Sequence, residues 1–193
     1  KLATLLSDGH GIVLAPNHCR MSDAMVLQSL SQSLHQPFFV MASSHLFRGN
    51  RLMKWALRRM GALSVYREGV DRKAVETAVD IIAQGNRPLV LFPEGALSHA
   101  NERLNAPIEG VSFIARTAAR KRQKADASSK AGVCVVPIAI RYLFQGDLAA
   151  TAGPILADIE RRLSWRTQDD MPLVERIYKV GNALLGLKET EYL

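Results

Sequence analysis

Short apolar runs alternate with longer amphipathic segments along most of this chain. Predominantly apolar runs flanked by turn residues are typical of strands that are buried on both faces of a sheet. Five such runs lie at residues 12–15, 38–41, 62–66, 88–92 and 133–142. Elsewhere apolar residues recur every three or four positions, which predicts helices. These segments are 23–34, 50–60, 71–84, 107–121, 154–164 and 172–187.

Two of the predicted helices have a clear buried face. Asp71 can cap the helix that ends near Gln84, and Gly85 would stop it. Its predicted inner residues are Ala74, Val75, Ala78, Ile81 and Ile82. The helix from about residue 107 would bury Ile108, Val111, Ile114 and Ala118. The polar stretch 123–132 that follows it is predicted to be a surface loop.

Strands that alternate with helices predict an α/β fold with a mostly parallel central sheet and helices on both faces. The chain has 193 residues, of which 48% are hydrophobic, so it can form one compact domain with a substantial core. We therefore expect a single domain over residues 1–193. In folds of this class the functional site lies at the carboxyl ends of the strands.

The charge of the chain favours an anionic partner. The formal net charge is +7, and residues 1–146 carry 19 basic and 10 acidic residues, whereas residues 147–193 carry 6 and 8. A basic body attracts nucleic acid, an anionic membrane surface or phosphorylated substrates. Aromatic residues make up only 6% of the chain and no nucleic-acid-binding motif is present, so we expect no nucleic acid partner.

Cysteine content and hydropathy bear on the compartment. The two cysteines, Cys19 and Cys134, form no CxxC pair, which argues against a disulfide framework or a zinc site and favours a reducing compartment. No run approaches the roughly 20 apolar residues of a membrane span. The chain begins at Lys1 rather than Met, so we expect it to be part of a longer protein whose anchor could lie outside it.

A histidine and an aspartate five positions apart follow the first predicted strand. His18 and Asp23 would not share a face of one helix, because five residues turn through about 500°. They can meet if His18 lies in a loop and Asp23 in the first helical turn. A histidine oriented by a carboxylate can act as a general base towards an alcohol. Chance spacing, with Asp23 only a helix cap, is the alternative.

Three further positions are candidates for chemistry. Glu94 and Gly95 follow the fourth strand, where a carboxylate and a tight turn can hold a ligand or simply end the strand. Arg67 follows the third strand and can bind a phosphate, although a surface arginine is the commoner case. Cys19 adjoins His18, but neighbouring side chains usually diverge, so an inert, partly buried thiol is favoured over a nucleophile.

A basic segment between the second and third strands has two interpretations. Five cations are interleaved with Trp, Leu and Met between Arg48 and Met60. Such a helix can lie in a membrane interface. It can equally be a docked helix with a solvated basic rim. A second basic cluster, at 116–124, is predicted to be an ordinary solvated face.

Taken together, four ordered segments resemble the motifs of the glycerolipid acyltransferase family, which includes the 1-acylglycerol-3-phosphate acyltransferases. The family's NHxxxxD motif corresponds to Asn17, His18 and Asp23. Its second motif, a Gly, an apolar strand and an Arg, corresponds to Gly61 through Arg67. Its FPEGTRS motif corresponds to Phe92 through Ser98, and its Val-Pro to Val136 and Pro137. The resemblance covers roughly residues 10–145.

The resemblance implies acyl transfer to a hydroxyl. His18 would remove the hydroxyl proton and Asp23 would orient the imidazole, while Arg67, Glu94 and Gly95 would bind the acceptor, the arginine through its phosphate. The implied co-substrate is acyl-CoA or acyl carrier protein, with no metal and no other cofactor. The implied acceptor is a lysophosphatidate-like lipid, met by an enzyme peripheral on the cytoplasmic face of the membrane.

One departure from the family pattern affects the acceptor. The family's Thr and Arg after Pro-Glu-Gly are Ala96 and Leu97 here. A phosphate contact is therefore missing at position 97, and Arg20, Arg67 or Arg103 would have to supply it. Two other functions remain open. One is a non-catalytic domain that binds lipid or acyl carrier, and the other is an acyl-thioester hydrolase in which water replaces the acceptor.

Overall fold

A computed structural model of the chain describes residues 1–66, 69–101 and 103–192. It divides into two compact units, residues 1–141 and residues 142–193. Arg67, predicted to bind the acceptor, lies outside the described residues. The prediction that all 193 residues form one acyltransferase domain stays a prediction.

A five-stranded sheet forms the centre of the first unit. Every paired strand is parallel, and the spatial order is β3-β2-β4-β1-β5. The α/β fold class with a parallel sheet is therefore confirmed. The strands are β1 (Gly11–Pro16), β2 (Phe39–Ser43), β3 (Ala62–Val65), β4 (Leu89–Val90) and β5 (Val133–Ile138).

The described residues contain seven α-helices. In the first unit they are α1 (Leu2–Ser7), α2 (Asp23–Ser33), α3 (Arg51–Arg59), α4 (Arg72–Gln84) and α5 (Gly110–Ala125). A 3-10 turn, Ser44–Phe47, joins β2 to α3. In the second unit they are α6 (Leu148–Arg162) and α7 (Leu173–Tyr192).

The strand order assigns the helices to two faces of the sheet. The chain moves in one direction from β1 through β2 to β3, and in the other direction from β3 through β4 to β5. Because crossovers between parallel strands are right-handed, α2 and α3 lie on one face and α4 and α5 on the other. The packing agrees, since α4 and α5 contact each other and both contact β1.

The hydrophobic core lies between the sheet and the α4–α5 pair. Its buried members come from β1, β4, the residue after β4 and these two helices: Val13, Ala78, Val79, Ile82, Leu89, Leu91, Ile114, Ala115 and Ala118. The predicted inner face of α4 is confirmed in large part. Ala74, Ala78 and Ile82 are buried, while Val75 and Ile81 pack against the core from its margin.

Local capping chemistry accounts for two helix boundaries. The carboxylate of Asp71 accepts a hydrogen bond from the backbone N–H of Ala74 at 3.0 Å, and α4 ends at Gly85 as predicted. The side-chain oxygen of Asn50 accepts from the N–H of Leu52 at 3.0 Å at the start of α3. These bonds satisfy donors that a helix cannot satisfy itself.

The boundaries of α5 differ from the prediction. The helix begins at Gly110 rather than near residue 107, and it continues to Ala125, into the stretch predicted to be a loop. Ile108 precedes the helix and is exposed, so its predicted burial is wrong. The backbone N–H of Ile108 donates to the carbonyl of Pro93 at 2.8 Å, which holds this residue in the connecting segment instead.

Other elements differ in length from the prediction. β4 has only two residues and β5 ends at Ile138, so both strands are shorter than predicted. The helix α6 begins at Leu148, six residues before the predicted start at Pro154, because Asp147 caps it. The short α1 and the 3-10 turn were not predicted, since neither is long enough to show a period.

The second unit contains a buried ion pair. Glu160 of α6 and Arg176 of α7 are both buried, and two guanidinium nitrogens donate to the two carboxylate oxygens at 2.7 and 2.8 Å. Asp169 lies 3.0 Å from the same guanidinium. This bidentate geometry compensates the cost of burying the charges. In the described residues, no helix is long and apolar enough to cross a membrane.

Candidate active site

The two sequence-predicted polar motifs meet at one edge of the sheet. His18 follows β1 and Glu94 follows β4, and these strands are neighbours. Parallel strands end on the same side, so both residues lie at the carboxyl edge, where α/β proteins place their sites. The two motifs are in direct contact, because the backbone N–H of His18 donates to the carboxylate of Glu94.

His18 and Asp23 are brought into contact. Nδ1 of His18 lies 2.8 Å from Oδ2 of Asp23. Asp23 is the first residue of α2 and is completely buried, whereas the imidazole is 22% exposed. The carboxylate engages one ring nitrogen, which leaves Nε2 as the atom available to a substrate. The predicted arrangement, with His18 in a loop and Asp23 in the first helical turn, is what the structure has.

A tight turn brings the two residues together. The backbone N–H of Arg20 donates to Oδ2 of Asp23 at 3.0 Å, and the N–H of Asp23 donates to the carbonyl of Arg20 at 3.1 Å. The same carboxylate oxygen therefore holds both the loop backbone and the imidazole. The role of Asp23 is therefore to position the imidazole and the loop, and not only to begin the helix. The N-cap position belongs to Ser22, whose side chain makes no capping hydrogen bond.

Phe92 fixes the plane of the imidazole. Its ring stacks on His18 with centroids 4.0 Å apart and an angle of 25° between the planes. Together with the bond to Asp23, this contact restricts rotation of the histidine side chain. Phe92 is the first residue of the FPEGTRS-like motif, but nothing in the sequence indicated that its ring would contact the histidine.

Glu94 binds the backbone of the site. It is buried, and its Oε1 accepts from the N–H of His18 at 2.7 Å while its Oε2 accepts from the N–H of Asn105 at 3.0 Å. Both carboxylate oxygens thus hold loop segments at the sheet edge. Its predicted role in acceptor binding is not tested by these contacts and stays a prediction.

Gly95 permits the turn that places Glu94. Its φ angle is +67°, in the left-handed region that side chains with a Cβ rarely adopt. The N–H of Gly95 donates to the carbonyl of Phe92 at 3.1 Å, which closes the turn. The glycine is therefore required by backbone geometry. Its predicted contact with the acceptor also stays a prediction.

Asn17 joins the loop after β1 to the segment after β5. Its side-chain oxygen accepts from the N–H of Ile140 at 2.6 Å, and its amide donates to the carbonyl of Ile140 at 3.0 Å. The side chain thereby imitates one more step of strand pairing beyond Pro16 and Ile138. This gives the Val-Pro motif of β5 a structural connection to the histidine loop. Proline is tolerated there because β5 is an edge strand.

Ser98 completes the frame around the histidine. Its backbone N–H and its hydroxyl both donate to the carbonyl of His18, at 2.8 and 3.1 Å. His18 is consequently held through its N–H, its carbonyl and its ring. Ser98 is the last residue of the FPEGTRS-like motif, but nothing in the sequence indicated what it contacts. Asn105, which reaches Glu94, carried no signal in the sequence.

Cys19 is a buried thiol next to the histidine. It is buried, and the amide of Asn17 donates to its sulfur at 2.9 Å. Burial raises the pKa of the Cys19 thiol above its ordinary value, and the carboxylates of Asp23 and Glu94 raise this pKa further. A protonated, inaccessible thiol is a poor nucleophile. The geometry agrees with the prediction of an inert cysteine.

An apolar cleft of about 880 Å³ opens beside these residues. It touches Asn17 and Pro93, the neighbours of His18 and Glu94 in sequence. Most of its other lining residues come from β5, the start of α5 and the loop before α5. They include Leu104, Ile108, Val111, Val135, Pro137 and Ile138. The polar residues on the lining are Asn17, Asn101, Arg103, Glu109 and Ser112.

The motif that begins at Gly61 lies farther from His18. Its glycine, Gly61, has a φ angle of +89°, and a Cβ there would lie 2.7 Å from the carbonyl oxygen of Phe38. Only glycine fits this close approach of backbones. β3 is an edge strand, three strand spacings from β1, or about 14 Å. Because Arg67 is outside the described residues, its predicted role stays a prediction.

Metal binding finds no support in the part of the chain that the structure describes. No three His, Cys, Asp or Glu side chains lie close enough together there to hold a metal ion. The prediction that the reaction needs no cofactor remains untested.

Comparison with known proteins identifies a family. The family model described as Acyltransferase matches residues 3–141. A 1-acyl-sn-glycerol-3-phosphate acyltransferase of Streptococcus pneumoniae (strain ATCC BAA-255 / R6) is 32% identical over 65 residues, which are 34% of this chain and 24% of that protein. The chain thus matches about a quarter of the length of this curated relative. No solved structure matches the chain significantly.

Proposed function

The chain belongs to the acyltransferase family, and from that membership we propose that it transfers a fatty acyl group from acyl-CoA or acyl carrier protein to a lysophosphatidate-like hydroxyl acceptor in phospholipid synthesis. The observation that carries the proposal is the contact of 2.8 Å between Nδ1 of His18 and Oδ2 of Asp23, at a partly exposed imidazole. The similarity to a protein named 1-acyl-sn-glycerol-3-phosphate acyltransferase supports this acceptor class.

The chemistry begins at Nε2 of His18. This nitrogen removes the proton of the acceptor hydroxyl as the hydroxyl oxygen attacks the thioester carbonyl carbon. Asp23 keeps Nδ1 protonated and stabilises the imidazolium that forms. The C–S bond then breaks, the acyl group stays on the acceptor oxygen, and the imidazolium returns its proton to the departing thiolate. A positioned base of this kind contributes about 10²–10⁴-fold to the rate.

The rigid mounting of His18 supports this role. Glu94 and Ser98 hold its backbone and Phe92 stacks on its ring. A base held in one orientation needs little reorganisation when the reaction occurs, and orientation is a major part of catalysis. The imidazole is 22% exposed, so the ring remains open to a substrate beside the cleft that its neighbour Asn17 lines.

The apolar cleft supports a fatty acyl substrate. Its walls are mostly aliphatic, and it adjoins the residues that flank His18 and Glu94. A long hydrocarbon chain gains about 0.8 kcal/mol for each CH₂ group removed from water. Arg103 is on the lining and is the described arginine that can offer a charge to a phosphate group there.

The test is release of free thiol from a long-chain acyl-CoA, with and without lysophosphatidic acid, by the wild type and by His18→Ala. We expect acceptor-dependent release that is lost in the variant. Release by a folded His18→Ala protein at the wild-type rate would refute the proposal. Release that is equally fast without acceptor would indicate a thioester hydrolase instead.

A negative result with acyl-CoA has a defined next step. The same assay is repeated with acyl carrier protein as donor, since the proposal includes both donors. If the folded protein binds acyl donor or lipid but neither donor is turned over, the non-catalytic binding domain is the correct interpretation. The loss of the usual arginine at position 97 is the feature that favours that alternative.

A further inference from the structure

The helix α3 buries none of its residues. A helix on the surface of a domain normally buries an apolar stripe against the core. In α3 and at its C-cap, Leu52, Met53, Trp55 and Met60 are each more than half exposed. The helix contacts β3 and the preceding 3-10 turn, with only Lys54, Ala56 and Leu57 partly covered. These four large apolar side chains are therefore mostly open to solvent.

Four cations accompany these apolar residues. Arg51, Lys54, Arg58 and Arg59 surround Trp55 and form with it a shallow depression of about 410 Å³. The guanidinium of Arg59 lies 5.3 Å from the centre of the Trp55 ring. Guanidinium and ammonium groups around an open depression are suited to phosphate oxygens.

The two kinds of residue are segregated around the helix axis. At 100° per residue, the four cations span one side, with Trp55 among them, while Leu52, Met53 and Met60 occupy the other. Helices with a basic polar side and an exposed apolar side lie in the plane of a membrane interface. Trp, Arg and Lys occur at the boundary between the two environments in such helices.

The position of α3 relates it to the active site. Topology places α2 and α3 on the same face of the sheet, and the start of α3 follows the carboxyl end of β2. At that edge lies the His18 loop, about three strand spacings from β3. Met21 in the loop after His18 and Met25 in the first turn of α2 are each 73% exposed. A surface that binds α3 would therefore lie close to the catalytic loop.

We propose that α3 is a membrane-docking helix that binds the surface of an anionic phospholipid bilayer. An acidic protein would account for the four cations but not for the exposed Leu52, Met53 and Met60. An apolar protein surface would not need the cations. An anionic bilayer offers both phosphate groups and hydrocarbon. The inference rests on the proposed function for its purpose, which is access to a lipid substrate, but docking is measurable without turnover.

The test is sedimentation of the whole chain with vesicles, in the absence of any acyl donor. One set of vesicles contains phosphatidylcholine alone, and in the other about a third of the lipid is the anionic phosphatidylglycerol. We expect binding to the anionic vesicles that weakens as salt is added. Arg51→Glu/Arg58→Glu should weaken it at least tenfold, because each basic residue near such a surface contributes about a factor of five. Trp55→Ser should weaken it severalfold while leaving the charge unchanged.

The helix α5 provides matched controls. Arg116→Glu/Arg120→Glu changes the charge equally on an exposed face, and Phe113→Ser removes a half-exposed aromatic residue. We expect both proteins to bind vesicles like the wild type. Equal losses from the α3 and α5 charge variants, no loss from folded α3 variants, or no binding by the wild type would overturn the proposal. The proposal would also fail if the wild type bound acyl carrier protein but not the vesicles. If the wild type binds the vesicles but transfers no acyl group, only the proposed function is contradicted.

Discussion

The backbone N–H of His18 donates a hydrogen bond to Oε1 of Glu94 across 2.7 Å, and the other carboxylate oxygen accepts from Asn105. One buried carboxylate thus joins the histidine loop to the segment that borders the apolar cleft. Two motifs that are 76 residues apart in sequence become a single unit through this contact.

Glu94→Gln should lower kcat by about tenfold or more while the acceptor KM changes little. The amide offers only one acceptor oxygen, so one of the two backbone N–H groups is left without its partner. Loss of a buried bond to a charged group costs about 1.5–3 kcal/mol, and we expect that decrease in the free energy of unfolding. Steady-state kinetics and denaturant unfolding measure both effects.

Glu76→Gln on the exposed side of α4 is the matched control and should change neither quantity. If Glu94→Gln instead raises the acceptor KM with kcat unchanged, Glu94 contacts the acceptor directly. That result would support the role implied by the family resemblance over the positioning role.

Asp23→Asn should reduce kcat/KM by about 10²–10⁴-fold with the fold retained, because an amide cannot stabilise an imidazolium as a carboxylate does. The assay is thiol release in the presence of acceptor, with circular dichroism to confirm folding. Asp80→Asn removes an exposed ion pair with Lys121 and serves as the comparison. A folded Asp23→Asn enzyme with wild-type activity would show that the contact of 2.8 Å has no catalytic role.

Cys19 should resist alkylation in the folded protein at neutral pH. Its thiol is inaccessible and its pKa is raised by burial and by Asp23 and Glu94, so little thiolate is present. Peptide mass spectrometry after iodoacetamide treatment, with and without denaturant, measures the modification. Rapid labelling of Cys19 in the native protein, or loss of the acyl transfer when a folded Cys19→Ala variant is assayed, would point to a nucleophilic cysteine.

Leu97→Arg should lower the KM for a phosphorylated acceptor severalfold. Position 97 precedes Ser98, which is bonded to His18, so a guanidinium there lies close to the site and can bind a phosphate. The comparison is Leu97→Gln, which adds a polar group without charge, assayed with phosphorylated and unphosphorylated acceptors. Equal KM values for the Arg and Gln variants would mean that the acceptor phosphate is recognised elsewhere.

The Glu160–Arg176 pair should make the second unit sensitive to acid. Hydrogen bonds from Arg176 lower the pKa of the Glu160 carboxyl. A carboxyl with a lowered pKa in the folded state stabilises that state fully above its ordinary pKa, and the stabilisation disappears as the pH falls through the lowered value. The difference in stability between wild type and Glu160→Gln should therefore be constant near neutrality and shrink in acid.

Hydrogen exchange in α6 and α7, followed from neutral pH to below pH 4, tests this prediction. Protection in the wild type should approach that of Glu160→Gln as the pH falls. A difference that grows in acid would have the wrong sign and would exclude the ion pair as its cause.

Much of the architecture was determined locally. Continuous apolar runs and the 3.6-residue period predicted every strand and every long helix, because burial on two faces and on one face leaves different patterns in sequence. Asp71 and Gly85 marked the ends of α4 for the same reason, since capping needs only neighbouring residues. The predicted starts of α5 and α6 were wrong. The contact of Ile108 with Pro93 determines the start of α5, and the capping side chain of Asp147 determines the start of α6.

The sequence by itself also indicated His18, Asp23 and Glu94 as candidates, because each follows a strand end or opens a helix. Only the tertiary structure decided what they touch. The contacts of Glu94 with His18 and Asn105, of Phe92 with the imidazole, and of Asn17 with Ile140 join segments from three neighbouring strands. Such pairings depend on strand order and register, and neither the spacing of residues nor their periodicity contains that information.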